Sequence, residues 1–262
     1  MTFSVTILGS NSAIPTLHRN PSAHLLNVNE RIFLIDCAEG TQLQLRKYRI
    51  HFQRIRHIMI SHLHGDHYFG LIGLLTTLHL LGRKDELHLY APAGLEEIIQ
   101  LQLNVSVTTL VYPLIFHPLV SGGLELVFED ERVTVHSFPL LHSIPTYGFI
   151  FREKIKVRKV EQKRSYAYCS DTAYDERIIP YISRVDLLYH ETTFMQDKAA
   201  AAADKMHSTT TQAATIALKS HVKKLLIGHY SARYDDLLPL LEETRKIFPE
   251  TILGEDGYTI HV

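Results

Sequence analysis

The stretch "HIMISHLHGDHYFGLIGLL", residues 57–75, decides how this chain is read. It begins as a short apolar run. His62, His64, Asp66 and His67 then fall within six residues, and an almost wholly apolar run from Phe69 to Leu81 stops at Gly82. A polar turn between a buried-type strand and a buried-type helix is a place where a fold presents side chains. Residues two apart in an extended segment face the same side, so His62 and His64 can hold one ion together. Asp66 and His67, on the next bend, can turn toward a second. Imidazole and carboxylate suit Zn2+ and related first-row ions, and Gly65 permits the tight backbone of such a bend.

Further ligands are expected behind other strands. His142 follows "VTVHSFPLL", Asp171 follows "SYAYCS" and His229 follows "KKLLIG". Each is a coordinating residue directly behind an apolar run, and this repeated pattern marks one metal site assembled from distant segments. A carboxylate can bridge two ions with its two oxygens, which singles out Asp171. Cys37 and Cys169 also neighbour motif residues. Thiolate ligation is one reading of them, and a small buried residue is the better one.

The rest of the chain frames this site. Strands are read at Phe3–Gly9, Ala23–Val28, Arg31–Cys37, His57–His62, Leu87–Pro92, Leu124–Asp130, Val133–Leu140, Thr146–Glu153, Arg164–Asp171, Asp186–Thr192, Lys223–Tyr230 and Gly257–Val262. "NVNERIF" reads as a hairpin turn. Helices are expected at Gly40–Arg49, with Leu43 and Leu45 near one face with Tyr48, and at Phe69–Gly82 and Gly94–Leu103. Two more are expected at His207–Ser220, with Ser208–Thr210 as N-caps, and at Asp235–Phe248. "KAAAAADK", Lys198–Lys205, suits a helix or a loop. Meandering strands followed by strands interspersed with helices suggest two sheets covered by outer helices, in one domain spanning residues 1–262.

With 45% hydrophobic and 21% charged residues, a sizeable core is available. A net charge of -1 excludes a bulk electrostatic pull toward nucleic acid or membrane. No apolar run reaches the ~18 residues of a membrane helix, and "MTFSVTILGS" does not read as a signal peptide. Two cysteines are too few for a disulfide framework, so a cytoplasmic location is expected.

The turn His-x-His-x-Asp-His resembles the signature of the metallo-β-lactamase superfamily. More narrowly, the chain is similar to the ribonuclease Z family through "LGSNSAIPTLHRNPSAHLL", "FLIDCAEGTQLQL", "ISHLHGDHYFGLIGLL", "YCSDT", "HETTF", "HSTTTQAA" and "LLIGHYSARY". The resemblance implies an α/β fold, a four-layered αββα sandwich, with two zinc ions at one edge. It implies that His62, His64 and His142 hold one zinc, that Asp66, His67 and His229 hold the other, and that Asp171 bridges. It further implies an endoribonuclease that removes the 3′ trailer of precursor tRNA by metal-activated hydroxide attack on a phosphodiester, and a homodimer. Asp66 would accept the water's proton. Glu191 and His207 would form the pair that protonates the leaving oxygen, since a carboxylate bonded to an imidazole fixes its tautomer and favours its protonated form. Asp36 would support a ligating histidine from behind, and Glu39 falls in the same loop.

In one respect the chain departs from that family. His142 and Asp171 are separated by only 28 residues, too few for the long arm that grips the tRNA elbow in family members. The interval holds the basic stretch Arg152–Arg164, and Arg46–Arg56 is a second; both are candidate phosphate contacts. Tyr48, Tyr147 and Tyr230 are candidates for stacking on bases. The alternative activity is a phosphodiesterase of the same fold acting on another nucleic-acid or small phosphodiester substrate. An iron-dependent oxidoreductase is disfavoured, because "HLHGDH" keeps a histidine where diiron flavoprotein relatives place a glutamate.

Overall fold

The computed structural model describes residues 2–120, 122–154 and 163–262. From Phe3 the chain runs as an antiparallel meander of β1 (Phe3–Gly9), β2 (Ala23–Val28) and β3 (Arg31–Ile35). The turn expected at "NVNERIF" forms. Asn29 and Glu30 take φ of 49° and 70°, the pair of positive angles that lets a two-residue hairpin follow the strand twist. After α1 (Thr41–Lys47), the strands β4 (Ile55–Met59), β5 (Leu87–Pro92) and β6 (Leu114–Leu119) join in parallel beyond β3. Helices α2 (Gly65–Tyr68), α3 (Leu71–Leu80) and α4 (Gly94–Val105) connect them.

The second half repeats this plan. β7 (Glu125–Glu129), β8 (Val133–Leu140), β9 (Thr146–Glu153) and β10 (Ser165–Cys169) form a second antiparallel run. β11 (Leu187–Glu191), β12 (Lys224–Gly228) and β13 (Thr251–Leu253) extend it in parallel. Between them lie α5 (Ile179–Ile182), α6 (Ala199–Asp204), α7 (Thr210–Lys219) and α8 (Leu238–Arg245), and β14 (Thr259–His261) returns to pair with β1. Each sheet has seven strands among the described residues, in the orders β14-β1-β2-β3-β4-β5-β6 and β13-β12-β11-β10-β9-β8-β7.

Alternation along the strands sets the layers. In β10, Tyr166 and Tyr168 enter the core between the sheets, with Phe3, Phe33, Phe149 and Phe151. Ala167 and Cys169 point the other way, under α5, α7 and α8. The first sheet's outer face packs against Leu45 of α1, Leu71, Leu74 and Leu78 of α3, and Leu95 and Ile99 of α4. The order of layers is helix, sheet, sheet, helix, as expected. Thr209 caps α7 with a reciprocal capping box to Gln212, and Ala213, Ile216 and Ala217 form its buried stripe.

Some expectations are corrected. Leu45 is buried and Leu43 is 70% exposed, because residues two apart on a helix lie on nearly opposite sides. β6 and β13 were not anticipated: Pro118 interrupts the first pattern, which forms an edge strand, and the second spans only three residues. Lys198–Lys205 contains the helix α6. Tyr147 and Tyr230 are 4% and 0% exposed and donate to the carbonyls of Leu119 and Ile227, so they pack the core. The centre of the basic stretch Arg152–Arg164 lies outside the described residues. At its ends, Arg152 donates to the Tyr181 carbonyl and Arg164 pairs with Glu153. In the second basic stretch Arg54 pairs with Glu30 and Arg56 with Asp85. Among the described residues no helix is long and apolar enough to cross a membrane.

Candidate metal centre

One edge of the sandwich collects the ends of six strands. Asp36 follows β3, His62 to His67 follow β4, His142 follows β8, Asp171 follows β10, Glu191 ends β11 and His229 follows β12. His64 is extended, and α2 then closes one helical turn over Gly65–Tyr68. A Cβ on Gly65 would meet the ring of Phe69, an exposed side chain that is free to swing away. Asp36, Asp171 and His229 hold φ of 57°, 56° and 58°. This left-handed conformation is unfavourable for side-chain-bearing residues and clusters at functional sites.

The ligand atoms form two groups that share Asp171. In the first, His64 Nδ1 lies 3.1 Å from His62 Nε2 and 3.2 Å from His142 Nε2. Asp171 Oδ2 is 3.6 Å from His62 Nε2 and 3.8 Å from His142 Nε2. In the second, Asp171 Oδ1 is 3.2 Å from His67 Nε2 and 3.0 Å from His229 Nε2. Asp66 Oδ2 lies 3.5 Å and 3.8 Å from the same two nitrogens. Both groups have the composition and closeness to hold a metal ion. His67 Nε2 and His229 Nε2 are buried with no hydrogen-bond partner, a costly state for a polar atom that a bound cation relieves. The residues present fit a pair of metal ions.

Partners on the far side of each ring explain the aim of these nitrogens. His62 Nδ1 donates to Ser61 Oγ, His67 Nδ1 to Asp36 Oδ2, and His142 Nδ1 to the Met206 carbonyl. His229 Nδ1 donates to Thr193 Oγ1 at 2.8 Å, and that hydroxyl donates to Glu191. Each partner leaves Nε2 as the lone pair facing inward. Asp36 is wholly buried and also accepts from the Ser61 backbone N–H, the Ser61 hydroxyl and Tyr168 Oη. Its expected supporting position is therefore where the structure puts it. Glu39 is exposed and lies outside the groove lining.

The electrostatics call for positive charge. Burial opposes ionisation of Asp171, yet His229, His67 and His62 hold its carboxyl well below the usual range. Burial opposes charge on His67 too, but Asp171, Asp36 and Asp66 push it well above 6.5. At His62 burial and the neighbouring His67 prevail and hold the ring neutral. Cys37 and Cys169 are free and lie outside the ligand groups, and burial pushes the Cys37 thiol up to about 12.

Beside the two groups sits a third. His207 Nδ1 donates to Glu191 Oε1 at 2.8 Å, and the same oxygen accepts the Thr172 N–H at 2.7 Å. Glu191 is fully buried. Burial works against a charged His207, but Glu191 raises it to about 9. A groove of about 810 Å3 opens onto His64, Asp66, His142, Asp171, His207 and His229. Tyr168, Thr172, Thr193 and the Met206 carbonyl are supports that sequence reading missed; Tyr168 and Thr172 flank Asp171 in the chain, the one signal available for them.

A sandwich of this layering with such a cluster at its edge has the metallo-β-lactamase fold, and the relatives above 30% identity make the chain one of the metal-dependent hydrolases of that fold. Residues 3–246 match the family profile described as "Anti-Pycsar protein Apyc1". The chain is 41% identical to ribonuclease Z of Bacteroides fragilis over 98% of both chains, and 42% identical to that of Parabacteroides distasonis over 99% of both. Human tRNase Z, short form, superposes with a TM-score of 0.84 at 33% identity over 98% of each chain. The metallo-β-lactamase fold protein YhfI of Bacillus subtilis superposes at 0.81 with 19% identity over 100% of each, a likeness of fold alone. The chain belongs to the family of that profile and, through its full-length relatives, to the ribonuclease Z family.

Proposed function

We propose that this chain is a zinc-dependent endoribonuclease that removes the 3′ trailer of precursor tRNA. The observation that carries the reading is the convergence of seven side chains on two groups sharing Asp171, in a ribonuclease Z family member. His62, His64 and His142 would hold one zinc ion, Asp66, His67 and His229 the other, with one oxygen of Asp171 toward each. Bound there, zinc supplies Lewis acidity, which lowers the pKa of a water and takes up charge on a phosphoryl oxygen. Asp66 accepts the proton that the attacking water gives up. His207, oriented through Nδ1 by Glu191, gives a proton to the 3′ oxygen as its bond to phosphorus breaks. Thr193 ties His229 to the same Glu191 carboxylate, so one buried anion orients both a ligand and the proton donor.

The single domain works without the long arm. The matched lengths of 299 and 301 positions exceed the chain's 262 residues, so these relatives carry segments that it lacks. A homodimer accounts for Leu80 and Leu81 at the C-terminal end of α3 and Leu101 and Val105 on α4, all more than half exposed. Two free, buried cysteines suit the reducing cytoplasm.

The test is incubation of purified protein with a precursor tRNA and with bis(p-nitrophenyl) phosphate. Cleavage after the discriminator base, abolished by chelation and by His64→Ala and Asp66→Ala, is expected. Hydrolysis of the small diester alone would replace this reading with a phosphodiesterase of another substrate.

A further inference from the structure

The two ligand groups share Asp171 and differ in what stands behind them. In the second group His67 Nδ1 donates directly to the buried carboxylate of Asp36 at 2.8 Å. His229 Nδ1 donates to Thr193 Oγ1, which donates to Glu191, a carboxylate that is also fully buried. Asp66 adds a ligand carboxylate of its own. In the first group the ligands besides Asp171 are all imidazoles. His142 Nδ1 donates to the Met206 carbonyl and His62 Nδ1 to the Ser61 hydroxyl, both at 3.0 Å. Both acceptors are neutral, and His62 reaches Asp36 only at one remove, through that hydroxyl.

The inward nitrogens differ as well. His64 Nδ1 lies 3.1 Å from His62 Nε2 and 3.2 Å from His142 Nε2, so these three can share protons among themselves. His67 Nε2 and His229 Nε2 are buried with no hydrogen-bond partner. Carboxylates in and behind a buried group strengthen its attraction for a cation. They draw a proton to the same imidazoles too, but a divalent ion gains about twice as much from each carboxylate as a proton does. We infer that the two positions are unequal: that of Asp66, His67 and His229 takes its zinc ion first and holds it more tightly, and that of His62, His64 and His142 fills second and exchanges. The inference rests on the zinc-dependent reading above and adds an order of loading to it. Between the two dissociation constants the chain carries one ion, so zinc supply sets the two-ion fraction through the all-imidazole group.

The test is a titration of the full chain, stripped of metal by a chelator, with Zn2+ at neutral pH. The ring resonances of nitrogen-labelled histidines are followed by NMR and assigned from single histidine-to-glutamine variants. His67 and His229 are expected to shift as the first equivalent is added, and His62, His64 and His142 only with the second. One supporting partner is worth about 10- to 100-fold in metal affinity, so the two dissociation constants should differ by on the order of 100-fold. Thr193→Val cuts the link from His229 to Glu191. It is expected to weaken the first-filled position by about 10- to 100-fold and to leave the second near its wild-type affinity, with Thr193→Ser restoring the gap. Thr193→Ala takes its place if the valine variant melts early. Both sets of rings shifting together, or His62, His64 and His142 shifting first, would overturn the order. An unchanged first affinity on loss of the Thr193 hydroxyl would overturn the part given to the buried carboxylates. A chain that takes up zinc at neither position would overturn the zinc-dependent reading instead, whereas zinc uptake in the stated order without cleavage of precursor tRNA would overturn the choice of substrate and leave the order standing.

Discussion

Two histidine trios, one at the metal groups where the ends of β4 and β8 meet and one across β4, β5 and β6, have their rings arranged oppositely. His62, His64 and His142 meet edge to face, at interplanar angles of 81°, 83° and 79°. His57, His88 and His117, on β4, β5 and β6, lie nearly parallel, at 20° and 26°. An imidazole lone pair lies in the ring plane. Edge-on rings can aim three lone pairs at one point, while stacked rings aim theirs along parallel planes. In the stack one nitrogen pair meets, His88 Nδ1 and His117 Nε2 at 3.0 Å, a distance explained by one ring donating to the other. The edge-on trio also has the Asp171 carboxylate across from it. A count of histidines therefore says little about metal binding; the interplanar angle and the facing carboxylate say much more.

The sharpest way to break this contrast is to compare a variant from each trio. Asp171→Ala removes the oxygens facing both ligand groups. It is expected to lower hydrolysis of bis(p-nitrophenyl) phosphate by roughly a thousandfold or more, several kcal/mol of lost charge stabilisation, and to reduce bound zinc measured after dialysis. His88→Ala should leave bound zinc as in wild type; an equal loss there would erase the distinction. A smaller effect sharpens it. Asp36→Asn keeps size but weakens the acceptor of His67 Nδ1–H, and about 10- to 100-fold weaker zinc affinity is expected from a change of this kind. Competition with a chelator measures it. Unchanged affinity would mean that the ring is oriented by packing alone.

Much of the edge-on trio was legible because its chemistry is local in the chain. His62, His64, Asp66 and His67 sit in one turn, and His142, Asp171 and His229 each stand directly behind an apolar run. The supporting shell was harder to read. Tyr168 reaches Asp36 across 132 positions, and β10 reads as apolar alternation whether or not a tyrosine tip bonds to a carboxylate. The positive φ of Asp36, Asp171 and His229 has only a weak signal in the sequence, since aspartate and histidine are enriched in that conformation but not confined to it. Helical faces were legible only where the period was respected: Ala213, Ile216 and Ala217 share one, whereas Leu43 and Leu45 do not. The stacked trio carries no motif at all, because β4, β5 and β6 come together only through sheet order.

The last effect is one on stability and concerns that stacked trio. His57 is 8% exposed, packs on Phe33 and Phe128, and leaves Nδ1 buried without a partner. Burial, followed by the neighbouring His88, lowers it from 6.5 to about 3. The unfolded chain takes up this proton near pH 6.5 and the folded chain only near 3, so between those values the unfolded state binds more protons. Stability from a neutral His57 is present above pH 6.5 and is lost progressively as pH falls toward 3. The full difference is on the order of 5 kcal/mol. His57→Phe removes both the titration and the unpartnered nitrogen while keeping a flat ring in an aromatic stack. Urea unfolding at pH 7 and at pH 4.5 is expected to show a smaller gap between the two midpoints in the variant than in wild type. An identical gap would mean that His57 takes up its proton in the folded state as readily as in the unfolded chain, and burial in the stack would then carry no penalty for charge.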